Sequence, residues 1–176
     1  MSAAAGEIPM EVATHRRGLT RLRDAVQAGR VTLGFIGGSI TAEASGCSWA
    51  DGVAAWVVEQ FPRARVRVEN AAIGATGSEL AVFRAERDLI ERGCDVVFVE
   101  FAVNDGGVPS NHRRRTQEGL IRKLLAGEGR DVVLAYAYCQ AMYDDMIAGR
   151  MPPTVREFEE LGQHYGIPSV WMGLHA

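Results

Sequence analysis

An open α/β sheet with parallel strands is the fold that this sequence predicts, and two observations predict it. Short apolar runs rich in β-branched residues alternate from end to end with segments of three-to-four-residue apolar spacing. Glycines stand where four of the five helical segments should stop, at Gly29, Gly93, Gly127 and Gly162 or Gly166. Strand and helix in strict alternation give a parallel sheet with helices on both faces.

Each element follows in order. Leu19, Leu22 and Val26 form the first helical stripe, stopped by Gly29, and Val31 to Gly37 is the first strand. Trp49, Val53, Trp56 and Val57 mark the next helix, with Trp56 read as a core residue. Val66 to Ala71 is the second strand. Leu80, Phe83, Leu89 and Ile90 make the helix that follows, ended by Gly93. Val96 to Val103 is the third strand, and Leu120, Ile121, Leu124 and Leu125 make a helix ended by Gly127. Val132 to Tyr138 is the fourth strand. Val155, Phe158 and Leu161 form the last helix, opened by Pro152 and Pro153 and closed by Gly162 or Gly166, before a final strand at Pro168 to Trp171. Most of these strands read as buried on both faces. The arginine run Arg113 to Arg115 reads as a solvated helix start rather than a phosphate-binding patch.

The chain has 176 residues, 47% hydrophobic and 23% charged, which is one domain, residues 1–176, with a core that needs no disulfide or structural metal. Nineteen basic against 22 acidic side chains leave a formal charge of -3. That balance argues against a nucleic-acid groove or an anionic membrane surface as partner. Cys47, Cys94 and Cys139 are odd in number, lack a Cys-x-x-Cys pair and read as free thiols. No apolar run approaches the ~20 residues of a membrane span. The N-terminus, with Glu7, Glu11, His15, Arg16 and Arg17, lacks the pattern of a signal peptide, so a cytoplasmic location is the default expectation. No carboxylate or histidine cluster has metal-site spacing, and no cofactor is expected.

In sheets of this kind ligands bind beyond the carboxyl ends of the strands, so chemistry is sought there. The first strand runs into Gly37-Gly38-Ser39-Ile40-Thr41, where two glycines let the backbone turn sharply and present the Ser39 hydroxyl beside free amide donors. The spacing fits neither a dinucleotide fingerprint nor a lysine-bearing phosphate loop. The second strand ends in Asn70-Ala71-Ala72-Ile73-Gly74-Ala75, and the third in Phe101-Ala102-Val103-Asn104-Asp105. Acyl transfer from an ester needs a nucleophile, a base and donors aimed at the oxyanion; a turn amide and an asparagine carboxamide are suitable donors.

These three segments together resemble the SGNH (GDSL-type) hydrolases, serine esterases, lipases and sugar deacetylases. The resemblance spans about Arg17 to Trp171 and points to a GGSIT-containing subgroup related to carbohydrate esterases. It implies a flavodoxin-like three-layer α/β/α sandwich with a central parallel sheet, Ser39 as nucleophile, and an oxyanion hole from the Ser39 N–H, a Gly74 or Ala75 N–H and the Asn104 side chain. Gly38 stands where better-known members carry Asp, and the usual glycine of the second block falls on Ala75, beside Gly74. The family's fourth block, Asp-x-x-His, supplies the base and its orienting carboxylate. None of His15, His112, His164 or His175 has an aspartate three residues earlier. His175 follows the last strand and is the remaining candidate base, with His112 behind it in the loop after Asn104; His15 and His164 fall in helical patterns. The expectation is that the natural protein carries its Asp-x-x-His after residue 176.

The implied activity is hydrolysis of acetyl esters, those of carbohydrates included, with no cofactor. Around the site, Trp49 is a candidate substrate wall, Glu43 a loop charge and Cys47 a rival nucleophile without an adjacent His. Trp171 could stack on a sugar, and Glu100 and Asp105, which flank Asn104, read as structural hydrogen-bond partners rather than metal ligands. Two rivals remain: a catalytically incomplete module that binds an acylated sugar or a protein partner, and a flavodoxin-like nucleotide-binding domain.

Overall fold

The computed structural model describes residues 8–42, 48–127 and 129–175, the last of these by its backbone alone. A two-residue strand, β1 (Ala13–Thr14), and α1 (Thr20–Gln27) lead into β2 (Arg30–Gly37). A single helical turn, α2 (Ser39–Ala42), precedes α3 (Trp49–Gln60) and β3 (Arg65–Asn70). α4 (Ser78–Ala85), continued by a π-helical turn over Glu86–Ile90, precedes β4 (Val96–Glu100). A 3-10 turn over Asn104–Gly107 then opens α5 (Ser110–Leu125) and β5 (Asp131–Tyr136). After another 3-10 turn come α6 (Tyr143–Ile147), α7 (Pro153–Tyr165), β6 (Ser169–Trp171) and a last 3-10 turn over Met172–His175.

The sheet order is β1-β6-β5-β4-β2-β3. Every pairing from β2 to β6 is parallel, and β1 alone is antiparallel, Ala13 facing Val170 on the outer side of β6. Counted in chain order, the parallel strands run 2-1-3-4-5, the flavodoxin-like arrangement. The crossover through α3 moves one way along the sheet, and those through α4, α5 and α7 move the other. Right-handed connections therefore put α3 beside α1 on one face and α4, α5 and α7 on the opposite one. Val31, Leu33 and Phe35 bury toward α1 and α3, while Ile36, Val97, Val99 and Leu134 bury toward the other three helices with Leu120, Leu124 and Phe158. Each such side chain contributes about 1.5–3 kcal/mol through removal from water. Gly166, at φ 67, occupies the left-handed region that closes α7, so it and not Gly162 is the stop.

Several sequence expectations are corrected. Leu80 and Phe83 are 44% and 81% exposed, because α4 buries Ser78, Ala81, Arg84 and Ala85 instead. The small-residue stripe wins since alanines let α4 lie close against its neighbours. Trp56 is 54% exposed. It lies off the Ala50, Val53, Ala54, Val57 stripe of α3 and rests edge-on against Phe61 at 6.3 Å between ring centres. His15 follows β1 outside any helix, and His112 lies within α5 rather than a loop. The Arg113 side chain is not solvated: it is buried against Glu157 of α7, and its Nη1 donates to the Val108 carbonyl at 2.8 Å. Burial works to raise the Glu157 carboxyl, but bonds from Arg113 and Ser110 outweigh it and hold the group below its ordinary value. This pair ties the chain just after Asn104 to α7.

Candidate active site

The chain leaving β2 turns toward one face of the sheet and the chain leaving β4 toward the other, so a crevice opens between their carboxyl ends. Ser39 follows β2 there, exposed, as the first residue of α2. Asn104 follows β4 as the first residue of its 3-10 turn, half-buried. The two segments touch: a Cβ placed on Gly38 would lie 2.0 Å from Asn104 Oδ1 and 2.8 Å from its Nδ2. No side chain other than hydrogen fits at position 38 while Asn104 holds this place. The turn after β3 closes the third side, where a Cβ on Gly74 would come within 3.8 Å of the Ser39 Cβ. Ser39, Gly38, Gly74 and Asn104 are thus brought together. Ala75, next to Gly74 and exposed, takes φ 60, in the left-handed region that a non-glycine residue enters at a cost of roughly 1–2 kcal/mol. Such a cost persists only where the surroundings impose it.

A polar framework, of which only the structural roles of Glu100 and Asp105 were expected from the sequence, holds this crevice. An isolated four-residue turn has no stability of its own, and its last carbonyls lack helical partners. The Thr41 carbonyl accepts from Asn70 Nδ2 at 2.8 Å, and Asn70 Oδ1 accepts from the Ala72 N–H at 3.0 Å. The fully buried Thr41 hydroxyl lies 3.2 Å from Trp49 Nε1 and 3.3 Å from Glu100 Oε2. The indole N–H can only donate, so Thr41 Oγ1 accepts from Trp49 and turns its own proton to Glu100. The Ile73 N–H donates to the Gly37 carbonyl at 3.1 Å. Asp105 is buried as well: its Oδ1 accepts from the Ser78 N–H and its Oδ2 from Gln117 Nε2, each at 2.9 Å. The expectation that Glu100 and Asp105 are structural partners agrees with these bonds. A polar cavity of about 280 Å³ lies on the outer side of the β3 turn, lined by Glu69, Asn70, Ile73, Arg84, Asp88 and Arg92.

Other candidates fall away from the crevice. Trp49 is half-buried against Phe35 and Phe98, at 5.4 and 6.1 Å between ring centres, and serves as a packing and hydrogen-bonding residue rather than a substrate wall. Trp171 is buried edge-on against Tyr136. His112 is exposed with Nε2 3.1 Å from Glu79, and His15 and His164 are exposed. Glu43 and Cys47 lie outside the described residues, as does the side chain of His175. Burial first, and then Glu69, push the Cys94 thiol up to about 12, so it is no nucleophile near neutral pH. Among the described residues no group of three or more His, Cys, Asp or Glu side chains could hold a metal ion, and no helix is long and apolar enough to cross a membrane.

No protein-family model matches the sequence, and neither does any curated protein. Solved structures do. A two-domain esterase active on acetylated mannans is 32% identical, with a TM-score of 0.76 over 90% of this chain and 42% of that one. Its complex with mannopentaose gives 31% and 0.77 over 92% of this chain and 44% of the other. The chain therefore spans less than half the length of those matches. An acetyl xylan esterase from Geobacillus stearothermophilus is 18% identical at TM-score 0.61, over 78% of this chain and 74% of that one. A lipase/acylhydrolase from Enterococcus faecalis is 19% identical at 0.61, over 79% and 74%. The fold, a central and mostly parallel sheet flanked by helices, is that of these esterases, as the resemblance to the SGNH (GDSL-type) hydrolases implies.

Glu100 sits beneath the crevice, fully buried, and among the described residues its Oε1 has no hydrogen-bond partner of good geometry. Burial, opposed by hydrogen bonding from Thr41, pushes its carboxyl up to about 7. A carboxyl held above its unfolded value binds its proton more tightly when folded, so stability falls as pH rises from the unfolded value to the folded one. Between pH 4.5 and pH 8, urea unfolding should show Glu100→Gln gaining about 3 kcal/mol relative to the unsubstituted protein. A difference that stays constant over this range would contradict the assignment.

Proposed function

We propose that this domain hydrolyses acetyl esters of carbohydrates through Ser39. The observation that carries the reading is the meeting of an exposed serine, a turn amide and an asparagine carboxamide at the switch point of the sheet, with Gly38 bare against Asn104. In the first step Ser39 Oγ attacks the ester carbonyl and loses its proton to the base. The Ser39 N–H, the Gly74 or Ala75 N–H and Asn104 Nδ2 hold the oxyanion, the sugar alcohol leaves with the proton, and water then releases acetate from the serine. Gly74 lies beside Ser39, and the left-handed Ala75 fixes the turn that carries both amides.

The proposed substrate class rests on the neighbours, two of which are described as active on acetylated mannans or as an acetyl xylan esterase. The general base is proposed to come from an Asp-x-x-His segment outside residues 1–176. Catalytic mutants of the acetyl xylan esterase replace an aspartate and a histidine spaced three residues apart. None of the three histidines whose side chains are described has an aspartate at that spacing. The second reading, a binding module for an acylated sugar, draws on the same feature. The reading frame beyond codon 176 discriminates: an in-frame Asp-x-x-His supports the enzyme, and a stop codon supports the module.

In the full gene product, Ser39→Ala should lower kcat on p-nitrophenyl acetate by on the order of 10⁶. Unchanged turnover would discard Ser39 as nucleophile. Gly38→Ala should cost roughly 10²–10³ in kcat by displacing Asn104, Asn104→Ala should cost a similar factor, and combining the two should add little. Full additivity of the two losses, measured as a double-mutant cycle, would separate Gly38 from Asn104.

A further inference from the structure

We propose that Asn70 is a positioning residue that sets the separation between the turn bearing the nucleophile and the turn bearing the oxyanion amide. The inference rests on the reading of Ser39 as nucleophile and goes beyond it, since Asn70 touches neither substrate nor reacting atoms.

Asn70 ends β3, paired with Phe35 of β2. Past this point the two chains diverge, one into α2 and the other into the Ala72–Ala75 turn, and the backbone joins them through the Ala71 N–H on the Phe35 carbonyl at 2.8 Å and the Ile73 N–H on the Gly37 carbonyl at 3.1 Å. The Asn70 carboxamide adds a tie that reaches past both of these, into α2 itself. Its orientation is settled by chemistry: the Thr41 carbonyl can only accept and the Ala72 N–H can only donate, so Nδ2 faces the first and Oδ1 the second. An asparagine that merely shaped its own turn would use Oδ1 on the residue two places ahead and leave Nδ2 to water. Here Nδ2 reaches back 29 residues to α2 at 2.8 Å.

The place that it grips matters mechanically. Thr41 lies two residues after Ser39 in a helix of a single turn, whose Thr41 and Ala42 amides both fold back on the Gly38 carbonyl, at 3.2 and 3.0 Å. Fixing the Thr41 carbonyl therefore fixes the pose of that turn, and with it the direction of the Ser39 Cβ against Gly74. A rigid carboxamide holds a donor and an acceptor at a constant separation, so it works as a spacer. Aspartate in the same place would keep the acceptor for Ala72 and face the Thr41 carbonyl with a second acceptor; alanine would lose both. Asn70 is itself exposed at the end of an edge strand, so its replacement removes little packing.

The test uses two readouts on the full gene product with Asn70→Ala and Asn70→Asp. Amide hydrogen exchange at Thr41 and Ala42 should speed up tenfold or more in both variants, with the amides of β2 unchanged and Tm within a few degrees of the unsubstituted protein. On p-nitrophenyl acetate both should lose about 10- to 100-fold in kcat with KM within twofold, the signature of a misplaced nucleophile rather than a lost binding contact. Exchange unchanged in either variant would overturn the inference, as would Asn70→Asp behaving like the unsubstituted protein. A Ser39→Ala control separates the two failures. Residual turnover there discards the nucleophile and leaves exchange to decide the tie. Turnover that depends on Ser39 but not on Asn70 discards the tie alone.

Discussion

The side chain missing at position 38 is the constraint on which the crevice depends. The Asn104 carboxamide lies where a Cβ of Gly38 would be, 2.0 Å from its Oδ1, so the segments leaving β2 and β4 can close to contact only because one of them is bare backbone. All three of the atoms nearest that Cβ belong to the Asn104 side chain, so a larger residue at position 38 would have to displace the carboxamide from this place. The sheet order makes this contact possible, since β2 and β4 are neighbours whose chains depart to opposite faces.

The remainder of the site consists of devices that keep a weak element in place. A single helical turn is held at its carbonyl by Asn70, at the Thr41 hydroxyl by Trp49 and Glu100, and at its start by Gly38. Asp105 pins the other side by capping α4 and bonding to Gln117, while Arg113 with Glu157 fixes the chain that follows. Part of this framework is costly: burial of the Glu100 carboxyl lowers stability above its titration range. Proteins tolerate such costs where they pre-organise donors around a reacting group.

Much of this was legible in the chain before any coordinates. Strand positions followed from β-branched runs because a parallel sheet covered on both faces demands continuous apolar sequence, as at Val96–Glu100 and Asp131–Tyr136. Ser39, Gly74 and Asn104 were visible as strand-end residues, and topology then brought them together. The orientation of helices was less legible. Phe83 and Trp56 outweigh neighbouring alanines in any count of apolar residues, yet close approach favoured the alanine faces. The roles of Asn70, Thr41 and Arg113 were invisible for a different reason. Each acts through a partner 29 to 59 residues away, and no local spacing encodes such a contact. The two-residue β1 carries no periodicity at all.

An esterase reading asks three donors to converge on one point in space, and that convergence can be seen directly. The full gene product, treated with diethyl p-nitrophenyl phosphate and crystallised, should carry phosphorus on Ser39 Oγ. Its phosphoryl oxygen should sit about 2.7–3.1 Å from the Ser39 N–H nitrogen, a Gly74 or Ala75 nitrogen and Asn104 Nδ2. An adduct on another residue, or a phosphoryl oxygen turned away from Asn104, would contradict the account.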